Sequence, residues 1–202
     1  VSNEKTLVLA KKYGVVKACL GLFPSDILKM DDVAKEIDWI FSQDFFAVGE
    51  IGLDGTYGEM DTQEKWFREI VSRSEKKVVL VHTRKAEERV VEILEGLGKK
   101  EVVLHCFCGS LKLVERCVKN GWYFSIPTNV VFSEHFQELV KRLPIQSILT
   151  ETDSPFLGPV KGERNEPENV EKSVAKIAAL KGLDAEECMK MIYMNYRRCF
   201  NC

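Results

Sequence analysis

The sequence predicts an α/β protein in which helices cover both faces of a parallel sheet. Strand-like and helix-like segments alternate along all 202 residues. The strand-like segments are continuous apolar runs, which is typical of parallel strands buried on both faces. The length is sufficient for one well-cored domain, so we predict a single domain over residues 1–202.

The predicted strands are short runs rich in valine, isoleucine, leucine and phenylalanine, bounded by turn-forming residues. Pro24 ends the first of them, because proline cannot donate a backbone hydrogen bond within a sheet. In chain order, the predicted strands cover residues 15–23, 45–50, 78–82, 101–107, 122–126 and 147–153.

The segments between these strands carry apolar residues at helical spacing. Val33, Ile37 and Ile40 fall on one helical face, for example. Near the end of the chain, Pro167 and Asp184 each mark a helix start. The predicted helices cover residues 2–13, 31–43, 61–75, 85–97, 111–120 and 133–142, with one from Pro167 to about Gly182 and one from Asp184 onward.

Two architectures are compatible with the number of predicted strands. A closed eight-stranded α/β barrel typically takes about 250 residues. With six predicted strands, the chain lacks two strands and about fifty residues at the front of such a barrel. An open doubly wound sheet is the structural alternative.

Composition limits the classes of partner. The net charge is −2, so no overall basic surface indicates nucleic acid binding. No apolar run reaches the roughly 20 residues that a membrane span needs, and no secretory signal is visible. Seven cysteines, an odd number, indicate a reduced protein without a disulfide framework, so we expect a cytoplasmic location.

Four of the predicted strands finish in a good metal ligand, namely Glu50, His82, His105 and Asp153. The carboxyl ends of the strands form the catalytic face of an α/β barrel. Taken singly, a histidine here is often structural and an aspartate before Ser-Pro often forms a turn. The coincidence of all four favours a site for one or two divalent ions such as Mg²⁺, Mn²⁺ or Zn²⁺. Arg84, two residues after His82, is a candidate for binding an anionic substrate.

Five motifs in fixed order carry a resemblance to a known family. They are GEIGLD around Glu50, VHTRKA around His82, HCFCGS around His105, ETDSP around Asp153 and RNEPENV from Arg164. Together they resemble the TatD family of metal-dependent deoxyribonucleases, over a span from about Ser2 to Phe200. The resemblance implies a TIM-type (β/α) barrel that lacks its first one or two strands here.

The resemblance also implies a chemistry. Glu50 would bridge two metal ions, His82 and His105 would complete the ligands of one, and Asp153 would belong to the other, close to the attacking water. Glu50 and Asp153 are then the catalytic residues, and the expected reaction is hydrolysis of phosphodiester bonds at DNA ends with Mg²⁺ or Mn²⁺.

Two positions depart from the family pattern. The family has an H-x-H pair on its first strand, which this chain lacks, and Phe23 stands where the family commonly has histidine. Without the first strands an open sheet edge invites association, so we expect a homo-oligomer. A metal-dependent hydrolase of a small phosphoester or ester, and a catalytically impaired barrel remnant, are the alternatives to a deoxyribonuclease.

Overall fold

A computed structural model describes residues 2–202. The chain divides into two compact units, one ending at Val103 and the other running from Leu104 to Cys202. The prediction of a single domain therefore stays a prediction, and each unit is described by itself.

The first unit alternates helices and parallel strands. Strand β2 pairs with β1 and with β3, in both cases in parallel. Ser2 and Asp32 cap the helices that follow them, each side chain accepting a hydrogen bond from a backbone N–H of the first turn. The elements are α1 Asn3–Lys12, β1 Cys19–Leu20, α2 Pro24–Ile27, α3 Val33–Ser42, β2 Ala47–Asp54, α4 Met60–Arg73, β3 Val79–Arg84 and α5 Glu87–Gly96.

The second unit continues the alternation. Its first strand begins just before the division between the units, and its last two strands pair in parallel. The elements are β4 Val102–His105, α6 Leu111–Lys119, β5 Tyr123–Ile126, α7 Glu134–Arg142, β6 Ile148–Thr150, α8 Val170–Lys181 and α9 Ala185–Phe200, with short 3-10 turns at Thr128–Val131, Ile145–Ser147 and Pro167–Asn169.

Each unit has a core formed by its strands and the apolar faces of its helices. In the first unit, Leu20, Ile51 and Phe67 are fully buried. In the second, Trp122 and Phe124 are buried to the same degree. Burial of both faces of the strands explains why they read as continuous apolar runs.

The alternating parallel elements confirm the predicted α/β class, and several predicted boundaries need correction. The predicted strand 15–23 is reduced to Cys19–Leu20, and helix α2 begins at Pro24 because proline suits the first turn of a helix. Strand β2 continues to Asp54 rather than ending at Glu50. Within residues 2–202, every helix is too short or too polar to cross a bilayer.

Candidate functional site

In the first unit, His82 lies between two carboxylates of β2. Its Nδ1 is 3.1 Å from Glu50 Oε1, and its Nε2 is 3.0 Å from Asp54 Oδ2. Side chains alternate along a strand, so Glu50 and Asp54, four residues apart, share one face of β2. Gly52 lies between them and aligns with His82 on β3. A Cβ atom at Gly52 would be 1.9 Å from His82 O, so only glycine allows the strands to meet here.

The two carboxylates differ in their environment. The Asp54 side chain is 1% exposed, whereas that of Glu50 is 34% exposed. Burial alone would raise the pKa of Asp54, but hydrogen bonds from Thr56 and contact with His82 outweigh it and lower the pKa. The buried Asp54 is therefore an ionised anchor that orients the imidazole ring, while the Glu50 side chain is partly exposed, with its Oε1 atom buried beside His82.

The second unit repeats this arrangement around His105. Its Nδ1 is 2.5 Å from Glu151 Oε2, and its Nε2 is 3.9 Å from Asp153 Oδ1. Ser125 Oγ, on the neighbouring strand β5, donates a hydrogen bond to Glu151 Oε2. The side chain of Glu151 is 14% exposed and that of Asp153 is 36% exposed. Each histidine thus has one carboxylate that is more buried and one that is more exposed.

Burial affects Glu151 more strongly than Asp54. Desolvation raises the pKa of Glu151, and its interactions with His105 and Ser125 offset this only in part. Its Oε1 atom is buried and has no hydrogen-bond partner among residues 2–202. A buried polar atom in this position is costly unless a ligand or an ion completes it.

Asn165 organises the loop that carries Asp153. The Asn165 side chain is fully buried. Its Nδ2 lies 2.6 Å from Thr152 O, 2.7 Å from Phe156 O and 2.8 Å from Thr128 Oγ1. These contacts connect the segments on both sides of Asp153, so the position of that carboxylate depends on Asn165.

The donor atoms suit a divalent ion, although the side chains contact one another. Among residues 2–202, no three side chains of His, Cys, Asp or Glu are disposed to hold a metal ion as they stand. Two ligands about 2.1 Å from one ion at roughly a right angle lie about 3 Å apart. The 3.1 Å separation of His82 Nδ1 and Glu50 Oε1 has this magnitude. Within each unit the imidazole and carboxylate donors, which in the second include the unpartnered Glu151 Oε1, are of the type that binds Mg²⁺, Mn²⁺ or Zn²⁺.

The structure corrects the idea that all four predicted ligands end a strand. His105 does end β4. Glu50 lies in the middle of β2, and His82 lies two residues before the end of β3. Asp153 lies beyond the end of β6, in the following loop. The apolar runs suggested strand ends because the chain becomes polar there, whereas the strands extend past Glu50 and His82 and stop before Asp153.

Sequence reasoning overlooked Asp54 and Glu151, the buried partners of the two histidines. The sequence contains a pattern that identifies Asp54, because the alternation of side chains along a strand places it on the same face as Glu50. For Glu151 the signal was weaker, since an acidic residue next to a strand end is usually solvated. Arg84 ends β3, is exposed and aligns with Asp54 in the strand register.

Comparison with known proteins identifies the family. The profile described as "TatD related DNase" matches residues 1–201. The chain belongs to the TatD family. It is 35% identical to an uncharacterized metal-dependent hydrolase of Methanocaldococcus jannaschii, over 95% of this chain and 78% of that protein. It is 36% identical to the human deoxyribonuclease TATDN3, over 98% of this chain and 79% of that protein.

Solved structures of TatD proteins share this fold. The crystal structure of YJJV, a TatD homologue from Escherichia coli, matches with a TM-score of 0.87 and 26% identity, covering 98% of this chain and 82% of that one. A TatD family hydrolase from Entamoeba histolytica matches with a TM-score of 0.83 at 21% identity, covering 98% of this chain and 80% of that one. The predicted TIM-type α/β fold is thereby confirmed, and the chain is a TatD metal-dependent hydrolase.

Proposed function

We propose that this TatD hydrolase is a deoxyribonuclease that hydrolyses phosphodiester bonds at DNA ends. Its relatives support the substrate class, since the matching family is described as a DNase and the human relative is named a deoxyribonuclease. The observation that carries the proposal is the pairing of each histidine with one carboxylate that is more buried and one that is more exposed.

The proposed ligands of one or two divalent ions are Glu50, His82, His105 and Asp153. When bound, the metal supplies a Lewis acid that polarises the phosphoryl group and lowers the pKa of the attacking water. Hydrogen bonding by a second carboxylate fixes the orientation of a ligating histidine. Asp54 and Glu151 have this role for the two histidines.

The solvent exposure of Asp153, Arg84 and Glu50 indicates the roles that we propose for these side chains. Asp153, in a loop beside His105 and 36% exposed, accepts the proton of the attacking water at a carboxylate oxygen. Arg84 is exposed at the end of β3 and pairs with a backbone phosphate of the substrate. Glu50 lies 3.1 Å from His82 and offers its partly exposed carboxylate as a ligand.

Degradation of end-labelled single-stranded DNA with Mg²⁺ or Mn²⁺ tests this function. We expect the parent chain to shorten the DNA and Glu50→Ala to lose this activity by at least about 100-fold, because a metal ligand is removed. Glu88→Ala, which changes an exposed glutamate of α5, is the matched control and should match the parent. Equal cleavage by the parent and Glu50→Ala would show that Glu50 is not catalytic.

A small phosphoester or ester is the second candidate substrate, favoured by the net charge of −2. A panel of such esters, assayed beside DNA, separates the two candidates. Turnover of a small ester without DNA cleavage would support the second. Absence of both activities and of Mn²⁺ binding in the folded protein would support a catalytically impaired barrel.

Two further expectations remain proposals. The odd cysteine count supports a reduced, cytoplasmic environment, which localisation of the tagged protein tests. The predicted homo-oligomer is tested by sedimentation velocity over a range of protein concentrations. A single species with a mass near 23.0 kDa at all concentrations would exclude self-association.

A further inference from the structure

Two aromatic rings form a small patch beside His82. The Phe23 ring lies with its centroid 4.7 Å from that of His82, and the Tyr57 ring meets Phe23 edge-on at 6.2 Å. Tyr57 is 48% exposed and Phe23 is half-buried. An aromatic surface therefore extends from the His82–Glu50 pair towards solvent.

The turn that carries Tyr57 is held in place by the buried residues of the site. Asp54 Oδ1 accepts hydrogen bonds from the backbone N–H and the hydroxyl of Thr56, at 2.9 and 2.5 Å. Tyr57 N donates to Asp54 O at 3.2 Å. Gln63, fully buried on α4, donates from Nε2 to Gly58 O at 2.5 Å. Because this backbone is already ordered, binding a ligand against the Tyr57 ring costs little further conformational entropy.

The backbone of two cationic residues adjoins the same turn. Gly55 N donates to Arg84 O at 2.8 Å. The turn also packs closely on the following residue, since a Cβ atom at Gly55 would lie 2.9 Å from Lys85 O. Arg84 and Lys85 are both exposed. An aromatic surface beside two cations is complementary to a nucleotide, in which an uncharged base adjoins an anionic phosphate.

We propose that Tyr57 and Phe23 form a stacking platform for the terminal nucleobase of a single-stranded DNA end. The inference rests on the proposed function and specifies how the DNA end is seated. Stacking of the last base on the platform places the adjoining phosphodiester near the His82–Glu50 pair, with Arg84 and Lys85 facing the backbone. Since every base has a π-face, the platform accepts all four bases, but it requires the base to be unpaired.

The test uses two single-stranded oligonucleotides with an internal fluorescein, one normal and one with an abasic tetrahydrofuran residue at each end. Trimming rates with Mn²⁺ and equilibrium binding by fluorescence anisotropy are measured for both. We expect the parent to prefer the normal oligonucleotide by about tenfold or more in affinity and in kcat/KM. In Tyr57→Ala this preference is lost, because the affinity and kcat/KM for the normal oligonucleotide fall to the values for the abasic one. The change affects KM more than kcat.

Two variants serve as controls. Tyr57→Phe retains the ring, so the base preference should persist. Tyr13→Ala removes a tyrosine of similar exposure, 46%, at the end of α1, and should behave as the parent. The platform is overturned, even if DNA is trimmed, when the parent shows no preference for the normal oligonucleotide or when Tyr57→Ala keeps that preference.

Failure of the proposed function gives a different result. If the parent trims neither oligonucleotide, the deoxyribonuclease proposal fails and the anisotropy measurement decides the platform alone. The platform is supported if the parent binds the normal oligonucleotide more tightly than the abasic one and Tyr57→Ala abolishes this difference. It is overturned if the parent binds the two oligonucleotides equally or binds neither.

Discussion

Asp54 and His82 are joined by a 3.0 Å contact between Oδ2 and Nε2, and the aspartate side chain is 1% exposed. This contact leaves Nδ1 of the ring directed at Glu50, 3.1 Å away. The buried carboxylate therefore selects which ring nitrogen would be available to a metal ion.

Asp54→Asn should weaken metal binding while keeping the fold. The amide matches the carboxylate in shape but carries no charge, so it holds the His82 ring less firmly in its orientation. We expect the Mn²⁺ dissociation constant to rise about 10- to 100-fold. Isothermal titration with Mn²⁺ measures it. Asp38→Asn, at an aspartate that is 72% exposed on α3, is the matched control, and equal affinities in the two variants would refute the role of Asp54.

Asn165→Ala should destabilise the second unit and reduce activity. The change removes a buried amide whose two N–H groups lie within hydrogen-bond distance of three oxygens, and an unsatisfied buried group costs about 1–3 kcal/mol. We expect the free energy of unfolding to fall by on the order of 3 kcal/mol, as measured by urea denaturation. Asn169→Ala, which removes a single bond to Asn165 Oδ1, should cost much less. Similar losses for the two variants would contradict the assigned role.

Gly52→Ala should prevent normal pairing of β2 with β3. The added Cβ would be 1.9 Å from His82 O, and the backbone φ of +150° is one that other residues rarely adopt. We expect the free energy of unfolding to fall by more than about 4 kcal/mol, which is enough to keep the protein from folding. Gly96→Ala, in an open position on α5, should be neutral or slightly stabilising. Circular dichroism of both variants checks this, and a folded Gly52→Ala protein of parental stability would disprove it.

Glu64 and Arg89 should make stability depend on pH. Arg89 holds the carboxylate through two bonds of 2.6 and 2.7 Å between α4 and α5, which lowers the pKa of Glu64. A carboxylate with a lowered folded pKa stabilises the protein above its unfolded pKa, and this contribution disappears as the pH falls through the folded pKa.

Glu64→Gln therefore should lower the melting temperature by about 1–3 °C at pH 7, with the difference from the parent closing on acidification below about pH 4. Thermal melts from pH 3 to 7 measure it. Glu92→Gln removes a more exposed partner of Arg89 and should have a smaller effect. A difference in melting temperature between the parent and Glu64→Gln that grows on acidification would contradict a lowered pKa of Glu64.

Local sequence patterns predicted most of the fold and four of the six side chains in the two histidine–carboxylate clusters. The N-termini of α1, α3 and α9 follow from the capping residues Ser2, Asp32 and Asp184, whose hydrogen bonds reach only two or three residues along the chain. Glu50 and His82, and likewise His105 and Asp153, were predicted as ligands, and each unit brings its own pair together. Their assignment as metal ligands stays a prediction.

By itself, the sequence determined the α/β class, the order of strands and helices and the polar residues that follow the apolar runs, because each depends on short-range periodicity and capping. Only the tertiary structure decided that Asp54 meets His82, that Glu151 meets His105 and that Phe23 meets Tyr57. These partners are separated by 28, 46 and 34 residues along the chain. Contacts at such separations depend on strand register and on which side chains the core excludes from water, and neither is visible in a local pattern.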